Sequence, residues 1–72
     1  MNPNLYFINA RGEYQLLYDD VKESEVFILI RDFLDKHNFK SYYTRTWDTD
    51  EGRKYDVGSH TEFFLWGFKN EN

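Results

Sequence analysis

The sequence predicts an α+β fold of the form ββαββ(β), an antiparallel sheet with one amphipathic helix packed on one face. Three observations support it: glycine-ended turn patterns at residues 9–12 and 49–52, helical periodicity between them, and an aromatic content of 21%. A buried aromatic ring removes roughly 150–250 Å² from water, so even a chain of 72 residues can form a core. We expect a single domain over residues 1–72, frayed at 1–3 and 69–72.

The first turn pattern fits a type I turn followed by a left-handed glycine, the usual three-residue hairpin loop. It predicts a hairpin of residues 5–9 and 13–19, with Asn9 opposite Glu13. One face of this hairpin then carries the pairs Tyr6–Leu16 and Ile8–Tyr14, and the other face carries the pair Leu5–Leu17. Apolar cross-strand pairs stabilise a hairpin by roughly 0.2–1 kcal/mol each.

One helix is predicted between the hairpins, over residues 21–37. Apolar side chains recur there at helical spacing and form a broad stripe of Val26, Phe27, Leu29, Ile30, Phe33, Leu34 and His37. Asp20 and Glu23 have the spacing of a capping box at the helix start. Asn38 favours the left-handed conformation that ends a helix, and Phe39 is expected to fold back on the last turn.

The second turn pattern predicts a hairpin of residues 41–48 and 53–58, with Thr49 opposite Arg53. In this register, Trp47 faces Tyr55 and Arg45 faces Val57 on an apolar side that also carries Tyr43. The polar side is made of Tyr42, Thr44, Thr46, Lys54 and Asp56. Residues 61–68 are rich in aromatics and are predicted to be a fifth strand, although Ser59 and Glu62 also have the spacing of a helix start.

Charge and composition weigh against several functions. The net charge is −4, and nucleic-acid affinity depends mainly on Lys and Arg that neutralise phosphates, so nucleic-acid binding is disfavoured. The longest apolar run, residues 26–30, is far shorter than the ~20 residues of a membrane span. Residues 1–4 do not resemble a signal peptide. The sequence contains no cysteine, and we expect a cytoplasmic protein that does not bind membranes.

The residue types that perform catalysis form no recognisable site in this sequence. Zinc needs three or four closely spaced ligands, and His37 and His60 are the only histidines. Ser59 and His60 are adjacent, so in a strand they would point to opposite faces. The acidic residues of the second turn miss the calcium-loop pattern, because the glycine comes one residue early. We therefore expect a protein that is not an enzyme and has no cofactor or metal site.

Two surfaces are candidates for binding a partner. One is an outward stripe of the helix, and the other is the sheet face that the helix leaves uncovered, which includes part of the first hairpin. The candidate residues are Ile28, Arg31 and Asp35 on the helix, and Tyr42, Thr44 and Arg45 in the second hairpin. A guanidinium between Tyr43 and Trp47 can hold a carboxylate or phosphate of a partner, or it can simply extend into solvent.

The C-terminal half contains residues 39–43 (FKSYY), Trp47 and residues 55–64 (YDVGSHTEFF). In these residues it resembles a group of small proteins encoded by phages and prophages of Gram-positive bacteria. The resemblance implies a helix followed by an aromatic strand and a hairpin, and action in the cytoplasm of a bacterial host. The group is largely uncharacterised, so the resemblance implies no residue roles.

The function that the sequence favours is a non-catalytic protein-binding module, which in the phage context binds or inhibits a host factor. A homo-oligomeric structural or accessory protein, in which an edge strand or open sheet face pairs with a second copy, is the alternative. A single-strand nucleic-acid binder that uses aromatic rings as stacking platforms is less favoured because of the net charge. A mimic of DNA is also less favoured, because it requires carboxylates spaced like phosphates, which the sequence alone does not show.

Overall fold

The computed structural model describes residues 1–39, 45–58 and 61–68. Within them, five antiparallel strands form one sheet and a single α-helix packs on one of its faces, so the predicted α+β fold is confirmed. The strands are β1 (Asn4–Ile8), β2 (Tyr14–Tyr18), β3 (Arg45–Thr49), β4 (Gly52–Asp56) and β5 (Phe63–Gly67), and the helix is α1 (Val26–Lys36). Their order in the sheet is β2-β1-β5-β4-β3.

The first hairpin has the predicted register near its turn. Gly12 has a φ of 81°, and the backbone N–H of Asn9 donates to the carbonyl of Glu13 at 3.0 Å. Tyr6 pairs with Leu16, and Ile8 with Tyr14, as predicted. The predicted pair Leu5–Leu17 is wrong, because a bulge between Leu5 and Tyr6 shifts the register and places Leu5 opposite Tyr18.

The helix begins later than predicted. A 3₁₀ turn (Glu23–Glu25) precedes α1, and the Glu25 carboxylate accepts a hydrogen bond from the backbone N–H of Lys22 at 3.0 Å. The predicted capping box of Asp20 and Glu23 is therefore wrong. Asp20 instead has a φ of 52°, and its carboxylate accepts from the backbone N–H of Asn2 at 2.9 Å, which ties the N-terminal segment to the start of the helix.

The predicted end of the helix is confirmed. Asn38 has a φ of 55°, and its backbone N–H donates to Asp35 at 3.2 Å. The N–H of Phe39 donates to the carbonyl of Leu34 at 2.9 Å, so the chain closes a Schellman motif, and Phe39 packs against the core.

The second hairpin forms, but its predicted register is wrong by one residue. Thr49 pairs with Gly52 and not with Arg53, so the loop consists of Asp50 and Glu51 only. The Thr49 hydroxyl braces this short loop, donating to the carbonyl of Gly52 at 3.0 Å and accepting from the N–H of Glu51 at 3.2 Å. A shift of one residue moves side chains to the opposite face, so Trp47 shares a face with Lys54 and not with Tyr55.

The fifth strand is confirmed, and it lies at the centre of the sheet between β1 and β4. Gly52 and Gly67 pair where β4 meets β5. A Cβ atom on Gly67 would collide with the backbone carbonyl of Glu51, and one on Gly52 would collide with that of Trp66. Gly52 is thus required for this close approach, and its φ of 142° is a second reason for glycine at this position.

The core lies between α1 and the sheet face that it covers. The buried members of this core are Leu5, Val21, Val26, Ile30, Leu34, Tyr55, Val57 and Phe64. Phe33 joins the layers, with its ring 4.9 Å from that of Phe7 and 5.5 Å from that of Phe64. Two residues of the predicted stripe stay exposed: Phe27, which packs edge-on against Tyr55, and His37, which stacks on Phe33.

Candidate functional site

The sheet face opposite α1 is the candidate binding surface. We call it the helix-free face, and its residues are Tyr6, Ile8, Tyr14, Leu16, Arg45, Trp47, Lys54, Asp56, Phe63 and Leu65. One row of paired residues crosses all five strands, in the order Leu16, Tyr6, Leu65, Lys54, Trp47. The alternation of strand side chains places these residues together, while their sequence neighbours face the helix.

The centre of the helix-free face is buried and its edges are exposed. Ile8 and Leu65 are buried, although neither belongs to the core cluster under the helix. The rings of Tyr6 and Tyr14 meet edge-on at 6.1 Å over the β1–β2 side of this face. Leu16 on β2 is exposed. The face therefore has an apolar floor with aromatic rings above it, which is the composition of the central part of many protein interfaces.

At the β3 edge, four residues form what we call the Arg45 cluster: Arg45, Trp47, Asp56 and Phe63. The Arg45 guanidinium lies 3.1 Å from the Asp56 carboxylate and 5.6 Å from the centre of the Trp47 ring. The Trp47 and Phe63 rings meet edge-on at 5.9 Å across β4, the strand that carries Asp56. The Asp56 side chain is 0% exposed, whereas that of Arg45 is 64% exposed.

The predicted placements of Arg45 and Asp56 are both corrected by this cluster. Arg45 was expected opposite Val57, and Asp56 on a polar, solvated side of the hairpin; instead the two are directly paired. The other oxygen of Asp56 accepts from the backbone N–H of Gly58 at 2.9 Å. A buried carboxylate is stable only when it is paired and hydrogen-bonded, and Asp56 meets both conditions. Arg45 is consequently held in place and does not simply extend into solvent.

A hydrogen bond joins the two sides of the helix-free face. The Tyr14 hydroxyl, on the edge strand β2, donates to the Glu51 carboxylate in the β3–β4 loop at 2.8 Å. Burial raises the pKa of Tyr14 above its usual value, and the Glu51 hydrogen bond raises it further because it favours the neutral phenol. This contact over 37 residues of sequence connects the two hairpins independently of the helix.

The predicted binding residues of the helix lie apart from the Arg45 cluster. Ile28, Arg31 and Asp35 are exposed on α1, and Ile28 is 69% exposed, so the outward stripe exists as predicted. The sheet separates this stripe from the helix-free face, and the two surfaces do not form one site. The predicted residues Tyr42 and Thr44, as well as Tyr43, lie outside the described residues.

Asp56 and Phe63 are members of the site that the sequence did not predict. The error in the hairpin register placed Asp56 on a solvated side, and Phe63 was one of several aromatics in residues 61–68 with no pairing partner assigned. Pairing Gly52 with Thr49 would have placed Asp56 opposite Arg45. This pairing gives a two-residue loop, and that loop was the one feature of the sequence from which the Arg45–Asp56 pair could have been predicted.

Within residues 1–39, 45–58 and 61–68, no three His, Cys, Asp or Glu side chains lie together as the ligands of a metal ion would. Over the same part of the chain, no helix combines the length and the apolar composition needed to cross a membrane.

Comparison of the chain with protein-family models, with curated proteins and with solved structures finds no match in any of the three.

Proposed function

We propose that the chain is a non-catalytic protein-binding module that contacts its partner through the helix-free face. The observation that carries this proposal is the Arg45 cluster, in which an exposed guanidinium is held against a Trp ring by a fully buried carboxylate. Trp, Tyr and Arg are the residue types most enriched among those that dominate binding energy in protein interfaces. Trp47 is also 37% exposed, which leaves part of its ring available to a partner.

The geometry of Arg45 favours binding for an entropic reason. A free arginine side chain loses roughly 0.5–1.5 kcal/mol of conformational entropy when a partner immobilises it. Asp56 and Trp47 already restrict Arg45 before any partner arrives, so part of this cost is met on folding. A planar guanidinium with its remaining N–H groups toward solvent is suited to a carboxylate of the partner.

Lys54 adds a second positive charge to the same face. It lies between Leu65 and Trp47 in the row that crosses the sheet, and no carboxylate of the described residues forms an ion pair with it. We propose a partner that presents acidic and apolar side chains together. The resemblance to phage and prophage proteins makes a bacterial host factor the partner to test first.

The test compares three proteins as bait in a bacterial lysate, with quantitative mass spectrometry of what each retains. Trp47→Ala removes the exposed ring of the helix-free face, and Ile28→Ala truncates the exposed apolar residue of the helix stripe. We expect one or more proteins to be retained by the wild type and by Ile28→Ala, and reduced more than about tenfold by Trp47→Ala, as for a residue that dominates an interface.

Each variant must first give a dispersed NMR spectrum, so that loss of binding is not loss of the fold. If Ile28→Ala abolishes retention and Trp47→Ala does not, the helix stripe is the binding surface and the helix-free face is rejected. If no retained protein depends on either residue, the protein-binding proposal itself is rejected.

A second copy of the chain is the second candidate partner, and the position of β3 favours it. β3 is an edge strand that pairs only with β4, so its outer backbone groups have no sheet partner among the described residues. Such edges pair readily with a strand from another chain.

Light scattering across a concentration series would detect this association, and Thr46→Pro, which disrupts a strand edge, would prevent it. A monomer at every concentration removes this candidate.

A further inference from the structure

A cavity of about 300 Å³ lies on the helix side of the sheet, at the end of α1. Its most buried lining residues are Leu34, Val57 and Phe64, which form the floor. The rings of Phe7, Phe33 and Phe39 complete the apolar wall. Because the helix-free face is on the other side of the sheet, this cavity is independent of the proposed protein-binding surface.

The rim of the cavity is polar and rich in hydrogen-bond acceptors. It is formed by the exposed Gln15 and His37 and by the partly buried Glu62. The Nδ1 atom of His37 lies 2.9 Å from the carbonyl oxygen of Phe33. A carbonyl only accepts, so Nδ1 carries the proton, and in the neutral ring Nε2 is the acceptor. The Glu62 carboxylate has about four lone-pair sites, so it can accept from a ligand in addition to the interaction that it already makes.

The end of α1 adds to the same preference. The C-terminus of a helix carries a partial negative charge, and His37 is the residue that ends α1. A group that donates a hydrogen bond is therefore favoured at this rim over one that only accepts. An apolar cavity of about 150 Å³ is enough to hold benzene, so 300 Å³ has room for one aromatic ring with a polar substituent.

We propose that this cavity binds a small aromatic molecule that carries one hydrogen-bond donor. The ring occupies the space between the phenylalanine side chains, and the donor is directed to the acceptors of His37 and Glu62. This chemistry describes a phenol, and 4-methylphenol is the probe that tests it.

The experiment titrates 4-methylphenol and 4-methylanisole into the ¹⁵N-labelled full chain and follows amide shifts. The two probes share the ring and the methyl group, but methylation of the oxygen in 4-methylanisole removes the donor. We expect both to shift the amides of Val57 and Phe64, with 4-methylphenol binding about three- to tenfold more tightly, as one net hydrogen bond would give.

Two variants identify the acceptor and the location. His37→Phe can keep the stack on Phe33 and removes the Nε2 acceptor, so it should reduce the difference between the two probes without abolishing ring binding. Ile28→Ala, on the outward side of the same helix, should change neither affinity. The proposal is overturned if neither probe shifts the cavity amides, or if the two probes bind equally well to the wild type.

Discussion

At the scale of single residues, Asp56 is the most constrained polar group of the described chain. It is fully buried, and it holds both the Arg45 guanidinium and the backbone N–H of Gly58. Since Arg45 is largely exposed, the two partners are unequal: water can solvate the arginine in the absence of the pair, but it cannot reach the carboxylate. Breaking the pair therefore destabilises the fold chiefly because the buried carboxylate loses its charged partner.

We expect Arg45→Met to lower the free energy of unfolding by about 3 kcal/mol, because the buried Asp56 carboxylate loses its cation. Asp56→Asn should lower it by about 1 kcal/mol, because water can solvate the exposed guanidinium that remains. The double variant should cost clearly less than the sum of the two, because either single change already breaks the same contact. Urea denaturation followed by tryptophan fluorescence measures all three. Strictly additive costs would show that the two side chains do not interact in solution.

Tyr14 provides a prediction that depends on pH. Tyr14→Phe removes the hydrogen bond to Glu51, and we expect a loss of about 1 kcal/mol near neutral pH. Because the pKa of Tyr14 is raised in the folded state from the usual 10.0, the folded state favours the neutral phenol. This contribution is fully present below pH 10 and is lost as the pH rises through the folded pKa.

The stability difference between wild type and Tyr14→Phe should therefore shrink above pH 10, as measured by urea denaturation at several pH values. Tyr18→Phe, which alters an exposed tyrosine at the other end of β2, serves as the control and should change little. A Tyr14→Phe difference that stays constant beyond pH 11 would contradict the assigned hydrogen bond.

At the scale of elements, the sequence predicted correctly the turn and the helix end whose backbone conformation is determined by a local residue. Gly12 can adopt the left-handed conformation that a three-residue loop needs, and Asn38 can adopt the one that ends a helix; both were correctly placed. The predicted register of the second hairpin was wrong because Gly52 was interpreted as the last residue of a three-residue turn. Gly52 also makes the close approach to Gly67, a contact between strands that no local pattern contains.

The same distinction explains how far the candidate site could be predicted. Arg45 and Trp47 are two residues apart in one strand, so their shared face followed from alternation alone. The place of Asp56 in the site depended on the register across the second hairpin. The Tyr14–Glu51 contact depended on how the two hairpins are arranged. Neither could be derived without the strand order. The start of α1 was misjudged for a related reason, since Asp20 bonds to the N-terminal segment.

The helix end gives a testable expectation. Asn38→Ala places a residue with a Cβ atom at a φ of 55°. Alanine lacks the local side-chain hydrogen bonding that favours asparagine in this conformation. We expect it to lower stability by about 1 kcal/mol, whereas Asn38→Gly should cause no loss. Thermal unfolding of the pair measures this, and equal stability of the two variants would contradict the expected backbone strain.

The glycine pair in the sheet gives a second expectation. Gly67→Ala introduces a Cβ that collides with the backbone carbonyl of Glu51, and a backbone cannot move aside as a flexible side chain can. We expect a loss of about 3 kcal/mol or more. Gly12→Ala is the matched control: it has a left-handed φ but open space around it, and it should cost about 1 kcal/mol. Circular dichroism during urea unfolding distinguishes the two.

At the scale of the whole molecule, β5 joins the two halves of the sheet. β1 and β2 form one hairpin, β3 and β4 form the other, and each hairpin pairs with β5 but not with the other hairpin. The helix crosses one face of the resulting sheet. On the opposite face, Tyr14 and Glu51 connect the hairpins directly. The order of the strands therefore makes the structure depend on a segment late in the sequence.

A chain that ends at Glu62 retains both hairpins and the helix in its sequence, but it lacks β5. We expect this chain to be unfolded, because isolated two-stranded hairpins are marginally stable at best in water. A chain that ends at Phe68 retains all five strands and is the control. Amide dispersion in NMR spectra separates the outcomes, and a dispersed spectrum for the shorter chain would refute the central role of β5.

The central position of β5 also determines when the protein can reach its native state in a cell. Translation proceeds from the N-terminus at about 5–20 residues per second, so the two hairpins leave the ribosome before the strand that unites them. Until Gly67 has emerged, the aromatic rings of both hairpins remain uncovered, in a form open to capture by chaperones. The sheet therefore completes its folding only after β5 has been synthesised.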